Sequence, residues 1–212
     1  MTTLSDLKAR IADDLARSDL TTQIANEINS AITFYQEERF FFTENRTETF
    51  DTVQGQAFYS SDDDEDVPLM RELDAVFCTD GNGQQWALDQ GRPEDLQALI
   101  GDAGAMTGQP YSYARFNDGF LIYPIPDGVY TILPMGHMEV DAPATDGETG
   151  NPWMNKAFEL IRCRAKAMLY THVLMDATQA QIMSGAEDAA REALRRATSM
   201  KSGTGRIVPT QF

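Results

Sequence analysis

The sequence predicts an α+β fold. An antiparallel helical bundle forms from the N- and C-terminal helices, a mainly β lobe is inserted between them, and an extended tail follows. Three observations carry this reading. Residues 3–42 and 151–199 place apolar side chains at helical spacing. Residues 46–141 instead show short alternating runs punctuated by glycine turns. The last stretch, KSGTGRIVPTQF, has two glycines, a proline and two basic residues, and offers Ile207, Val208 and Phe212 no obvious core. The expected division is residues 1–45 with 150–200 as bundle, 46–149 as β-rich lobe and 201–212 as tail.

Each element has a local reason. In TLSDLKARIADDLAR, Leu4, Leu7, Ile11 and Leu15 share one helix face, and Thr3 or Ser5 offers a capping oxygen to the free N–H groups of the first turn. Ser18-Asp19 interrupts the pattern. A second helix carries Ile24, Ile28, Ala31, Ile32 and Tyr35 and is expected to end near the aromatic run RFFF, Arg39 to Phe42. RTETFDTV alternates as a strand, Gln54-Gly55 turns, and QAFYS is a second short strand. LDAVFCTD and QQWAL read as strands joined through Gly81-Asn82-Gly83. RPEDLQALI reads as a short helix with Pro93 in its first turn, where the missing N–H costs nothing. Asp118-Gly119 between apolar runs is the strongest hairpin signal, and Asp127-Gly128 marks a second turn, which together predict a three-stranded meander. Asn151-Pro152 opens a helix carrying Trp153, Phe158, Ile161, Ala165, Leu169 and His172 on its apolar face. Asp176 caps a last helix that ends in basic residues, where they suit the helix dipole.

Composition limits function. The 212 residues can bury a real core, as one domain with room for an inserted lobe. Net charge is −16, unevenly spread: residues 1–150 carry 8 Lys and Arg against 28 Asp and Glu, and residues 151–212 carry 9 against 5. Nonspecific nucleic-acid binding comes from neutralising phosphates, so a body this acidic repels DNA. Cys78 and Cys163 are too few for a disulfide framework and are expected to be reduced and buried inside a cell. No signal peptide and no membrane span are expected.

The candidate chemistries fail on spacing. His137 and His172 lack partner ligands at metal-binding spacing. Cys163 lies between Arg162 and Arg164, but on a helix its neighbours are Glu159 and Ala167, which favours a packing thiol. Cys163 and His172 are nine residues apart on one helix, ~13 Å at about 1.5 Å per residue. The acidic run Asp62, Asp63, Asp64, Glu65 and Asp66 lacks the alternate spacing and glycine of a calcium loop and reads as solvated. No cofactor and no catalytic residue is expected.

The order of segments is more informative. TLSDLKARIADDLARSDLTTQIANEINSAITFYQEERFFFTE is followed by GQPYSYARFNDGFLIYPIPDGVY, NPWMNKAFELIRCRAKAMLYTHVL and GTGRIVPTQF. Together these resemble the head-to-tail adaptor (connector) proteins of tailed bacteriophages, particularly short-tailed ones. The opening helix pair with its aromatic end, the LIYPIPDG hairpin and the closing GRI-x-PTQF carry the resemblance. It implies a virion structural protein, made in the bacterial cytoplasm, that forms a dodecameric ring under the portal protein. The ring would join capsid to tail, meet the next tail component (nozzle or tail tube) and continue the DNA channel without gripping DNA specifically.

The resemblance also assigns Arg206, Ile207, Val208, Pro209, Thr210, Gln211 and Phe212 to portal binding. Burying the three apolar side chains of this tail in a partner's groove contributes roughly 5–8 kcal/mol gross, much of it offset by ordering the segment. Arg191, Arg195, Arg196 and Lys201 either contact a neighbouring subunit or the portal, or form the solvated face of the last helix. No strongly apolar self-interface stands out, so a free monomer that assembles on the portal is expected. The rival readings are another tail-completion or stopper ring protein, a small cytosolic hydrolase with its site scattered through the β lobe, and a DNA-binding protein using Arg162, Arg164 and Lys166. The acidic remainder disfavours the last.

Overall fold

The computed structural model describes residues 2–62, 66–102, 104–116 and 118–202. The tail residues Arg206 to Phe212, and Asp63, Asp64 and Glu65 of the acidic run, lie outside them. In chain order the helices are α1 (Leu4–Leu15), α2 (Thr21–Tyr35), α3 (Pro93–Gly101), α4 (Pro152–Lys156), α5 (Phe158–His172) and α6 (Ala177–Ser202). The strands are β1 (Glu44–Asn45), β2 (Phe50–Asp51), β3 (Phe58–Tyr59), β4 (Met70–Thr79), β5 (Gln85–Ala87), β6 (Asp89–Gln90), β7 (Thr107–Gly108), β8 (Ser112–Phe116), β9 (Gly119–Tyr123), β10 (Ile125–Pro126) and β11 (Thr131–Met138). Helix and sheet thus coexist in an α+β chain. It divides into two compact units, Met1–Phe42 with Val140–Phe212, and Thr43–Glu139.

In the first unit, α5 packs against α1, α2, α4 and α6. Thr3 caps α1 through a capping box: its hydroxyl accepts from the Asp6 N–H, and the Asp6 carboxylate accepts from the Thr3 N–H. The expected apolar face of α1 is buried at Leu4, Leu7 and Ile11, and that of α2 at Ile24, Ile28, Ala31, Ile32 and Tyr35. The helix α2 stops at Tyr35, before the aromatic run rather than at it. The helix expected from Asn151 onward is two helices. Asn151 caps α4 by accepting from the Trp153 N–H, but Ala157 leaves helical geometry (φ −116°, ψ 13°) and α5 begins afresh. His172, assigned by spacing to the apolar face, ends α5 in solvent with its side chain 59% exposed, 3.6 Å from the Glu27 carboxylate.

In the second unit, one sheet has the order β1-β11-β4-β5 with β2 also on β11, and another has the order β3-β9-β8-β6. A parallel pair, β7 with β10, completes it. The β4–β5 and β8–β9 pairings across their glycine turns are antiparallel, as their alternation suggests. The meander ends there. After β9 the chain passes Pro124 and Pro126, which have no N–H for a ladder, and β11 joins β4 in the other sheet. RTETFDTV is likewise not one strand. Asn45 Oδ1 accepts from the N–H groups of Thr47 and Glu48, folding a turn that leaves β1 and β2 as separate short pairings on β11. The strand β9 is buried throughout because its two faces meet different cores. Phe120 and Ile122 join Phe50, Tyr59, Val76 and Ile132, while Leu121 and Tyr123 pack with Leu96 of α3 and Ala114.

Candidate interaction surfaces

The residues singled out for contacts lie along α6 and beyond it, so the site is built from this helix outward. Asp176 starts it, accepting from the N–H groups of Thr178 and Gln179 through Oδ1. At 26 residues, α6 is the longest helix, ~39 Å at about 1.5 Å per residue. Its first half is fastened by a polar cluster. Glu187 is buried and accepts from the Tyr35 hydroxyl (2.5 Å) and the Arg164 guanidinium (2.8 Å). Arg164 also lies 3.4 Å over the Phe34 ring. Burial and then the bond to Glu187 push the Tyr35 phenol well above its ordinary range, so it stays a donor.

The second half is fastened by Glu38, on the turn after α2. Its carboxylate accepts from Arg191 Nε at 2.7 Å and Arg195 Nε at 2.5 Å, one turn apart on α6. The bond to Glu38 raises the Arg191 guanidinium further above its already high value. Thr198 accepts from the Phe41 N–H (3.1 Å) and donates to the Leu194 carbonyl (2.9 Å), while Lys201 Nζ lies 3.5 Å over the Phe41 ring. Phe40, next in line, is buried against Phe42 and Trp153. The indole N–H of Trp153 donates to the Val140 carbonyl at 2.8 Å. The aromatic run after α2 is therefore the seat of the C-terminal half of α6.

These contacts redistribute the expected basic patch. Arg191 and Arg195 share one carboxylate within the chain, and Lys201 rests on an aromatic ring. Among the described residues Arg196 pairs with Glu192 four residues back (3.0 Å), and it is 75% exposed. The spacing of Arg191 and Arg195 marks one helix face, but no sequence signal names Glu38, 153 residues away, as their partner.

A groove opens where the start of α5 meets the second half of α6. Its volume is about 290 Å³, and it is lined by Lys156, Glu159, Leu160, Ala190, Ala193 and Leu194. Alanines at 190 and 193 keep the α6 wall low, and Leu160 forms a buried apolar floor. Sequence reading passed over this feature, because its only signal is a pair of small residues three apart.

A second cluster joins the helices on another side. Asp14 of α1 accepts from Arg162 (2.5 Å) and Lys166 (3.1 Å) of α5. Burial raises the Asp14 carboxyl, but the Lys166 hydrogen bond with the charges of Lys166, Arg162 and Arg10 outweighs it and leaves the group below its usual range. The basic residues at 162, 164 and 166 are thus committed to Asp14, Glu159 and Glu187. Cys163 Sγ lies 3.6 Å from Glu159, and burial followed by that carboxylate pushes the thiol up to about 11. Burial pushes Cys78 up to about 12. Both shifts disfavour the thiolate, as for packing thiols in apolar surroundings. Among the described residues no group of three or more His, Cys, Asp or Glu side chains is placed to hold a metal ion, and no helix is long and apolar enough to cross a membrane.

Ion pairs and aromatic seats hold α6 within the chain, and an apolar groove stays open beside it. The SU10 adaptor protein family model matches residues 2–209, nearly the whole chain. The chain belongs to that family and is a bacteriophage adaptor protein, of the head-to-tail kind that its sequence resembles. The family implies a structural role in the virion, in association with other head and tail components. A comparison with curated proteins returned no match.

Proposed function

We propose that the protein forms a ring beneath the portal, joins capsid to tail and continues the DNA channel. The observation that carries this reading is the family match across residues 2–209, which includes both helical ends and most of the terminal segment. A dodecameric ring and a nozzle or tail-tube protein below it follow from the resemblance of the sequence to short-tailed phage adaptors. The helix α6 is anchored along its length and leads in the chain directly to residues 203–212. Arg206, Ile207, Val208, Pro209, Thr210, Gln211 and Phe212 then serve as the portal-docking element. A tail with an apolar tip gains burial in a partner's groove, and repetition round a ring multiplies a weak contact through avidity.

Arg196, the most exposed of the α6 arginines, is the best placed to meet a neighbouring subunit or the portal. Arg191, Arg195 and Lys201 contribute to such contacts through faces left open by Glu38 and Phe41. The acidic balance of residues 1–150 suits a channel wall that lets DNA slide. Mixing the purified chain with the portal ring of the same virus tests this. Co-sedimentation at a fixed subunit ratio is expected, with a closed ring seen by electron microscopy. A chain that leaves the portal ring unoccupied at micromolar concentration contradicts the proposal.

A further inference from the structure

The hairpin of α5 and α6 carries the apolar groove towards one end and an exposed apolar knob at the other. We propose that the two are halves of one contact between copies of the chain, with Met175 of one copy seated against Leu160, Ala190, Ala193 and Leu194 of the next. The inference rests on the ring proposed above and names surfaces through which its subunits meet.

The knob is the turn between the helices. Val173, Met175 and Ile182 are exposed there, Met175 at 79% and Ile182 at 54%. Two backbone bonds close the turn, from the Leu174 N–H to the Leu169 carbonyl and from the Asp176 N–H to the Tyr170 carbonyl. Met175 between them is left-handed, with φ +53°, at a position where glycine is the usual residue. A bulky side chain there strains the backbone and, at this exposure, recovers little of the cost within its own chain. The helix that follows is also unusual. From Ala177 to Ala186 it has no charged side chain, although 24% of the sequence is charged. Depletion of charge is what distinguishes the centre of an interface from ordinary surface.

Reach excludes a copy's own groove. Ala190 and Ala193 lie 13 and 16 residues beyond Ala177, where α6 begins, ~20 and ~24 Å along the axis at about 1.5 Å per residue. Charge then fits a second copy. Of the two charges on the groove rim, Glu159 is engaged by Arg162, and Lys156 is exposed with no partner among the described residues. The knob brings Asp176, exposed beside Met175, so a carboxylate arrives with the thioether at the lysine. The groove, about 290 Å³, admits an unbranched methionine, which adapts to irregular gaps. Each copy gives its knob to one neighbour and its groove to the other, the head-to-tail arrangement that closes a ring when the rotation fits. The contact is small, so free copies associate only towards millimolar concentration, and a closed ring gains by repetition.

Mixing two variants of the full chain, Met175→Cys and Ala193→Cys, without portal tests the contact. Native Cys78 and Cys163 are buried and do not compete. The mixed disulfide is expected to form at least about 10-fold faster than one between Met175→Cys and Ser199→Cys, whose cysteine lies ~9 Å further along α6 and about 240° round it. Equal rates overturn the contact. So does a Met175→Cys homodimer as the faster product, which would place two tips together. The variant Met175→Gly keeps the left-handed turn and removes the knob. Sedimentation equilibrium up to about 1 mM is expected to show the wild-type chain associating and the variant at least about 10-fold weaker, with its thermal midpoint unchanged or raised. A wild-type chain that stays monomeric throughout, or a variant that associates equally, overturns the proposal. Neither measurement uses the portal, so their failure leaves portal docking standing. A chain that passes both and leaves the portal ring unoccupied sinks the adaptor reading and keeps the contact between copies.

Discussion

At the scale of the residue, three carboxylates in the helical unit each accept hydrogen bonds from two side chains. Asp14 accepts from Arg162 and Lys166, Glu38 from Arg191 and Arg195, and Glu187 from Arg164 and Tyr35. Asp14 has a pH signature. Its carboxyl is depressed below the ordinary value of 3.8, so its contribution is fully present above that value. The contribution is lost as pH falls through the lower folded-state value. Urea melts from pH 6 down to pH 2 are expected to show the wild-type chain losing this increment on the acid side. In Asp14→Asn the increment is absent at pH 6 and the two chains converge at pH 2. A constant gap between them across that range would mean that Asp14 acts by packing alone.

At the scale of the element, α6 stands out because polar anchors as well as apolar burial hold it. Its exposed Ile182 and Met200 show how little of its surface is apolar and covered. Glu38→Ala removes both acceptors of Arg191 and Arg195 at once. It is expected to destabilise the chain by about 1–2 kcal/mol, since each arginine retains solvent access. Amide hydrogen exchange is expected to rise selectively in residues 188–202, and uniform protection there would contradict the anchoring role. In the β-rich unit the sensitive position is Gly136, at a register shift of β11 with φ +149°. A Cβ there would sit 2.2 Å from the Glu72 carbonyl oxygen. Gly136→Ala is expected to cost more than about 2 kcal/mol in chemical denaturation, because backbone rather than a flexible side chain must move.

These elements also show what sequence alone could and could not convey. Strongly periodic segments were legible: the buried faces of α1 and α2, the Pro93 start of α3, the Asp176 cap of α6, and the hairpin at Asp118-Gly119. Each is decided by residues within one or two turns. The misread features depend on distant partners. The strand β11 pairs with β4 rather than β9 because pairing is settled by the whole sheet. Ala157 breaks a helix whose residues have no strong local stop signal. His172 sits in the last turn of α5 with its side chain in solvent beside Glu27 of α2. Of the interaction surface, the basic residues of α6 could be read, but the carboxylate that engages two of them and the alanine-walled groove could not.

At the scale of the whole molecule, charge is segregated along the chain, with −20 over residues 1–150 and +4 over residues 151–212. The proposed ring of identical subunits needs two different complementary surfaces, and acidic and basic portions would supply such a pair. Raising salt from 50 to 500 mM is therefore expected to weaken the ring, read as a fall in scattering mass at fixed protein concentration. A mass independent of salt would assign ring closure to apolar contacts. The proposed role concentrates on the last residues. The most direct measurement compares portal-ring binding by the full chain with binding by a chain ending at Met200. Binding by the full chain, lost on truncation, is the predicted result and marks the terminal segment as the docking element. Equal binding by both would move the interface to the helices, and no binding by either would contradict the portal adaptor role itself.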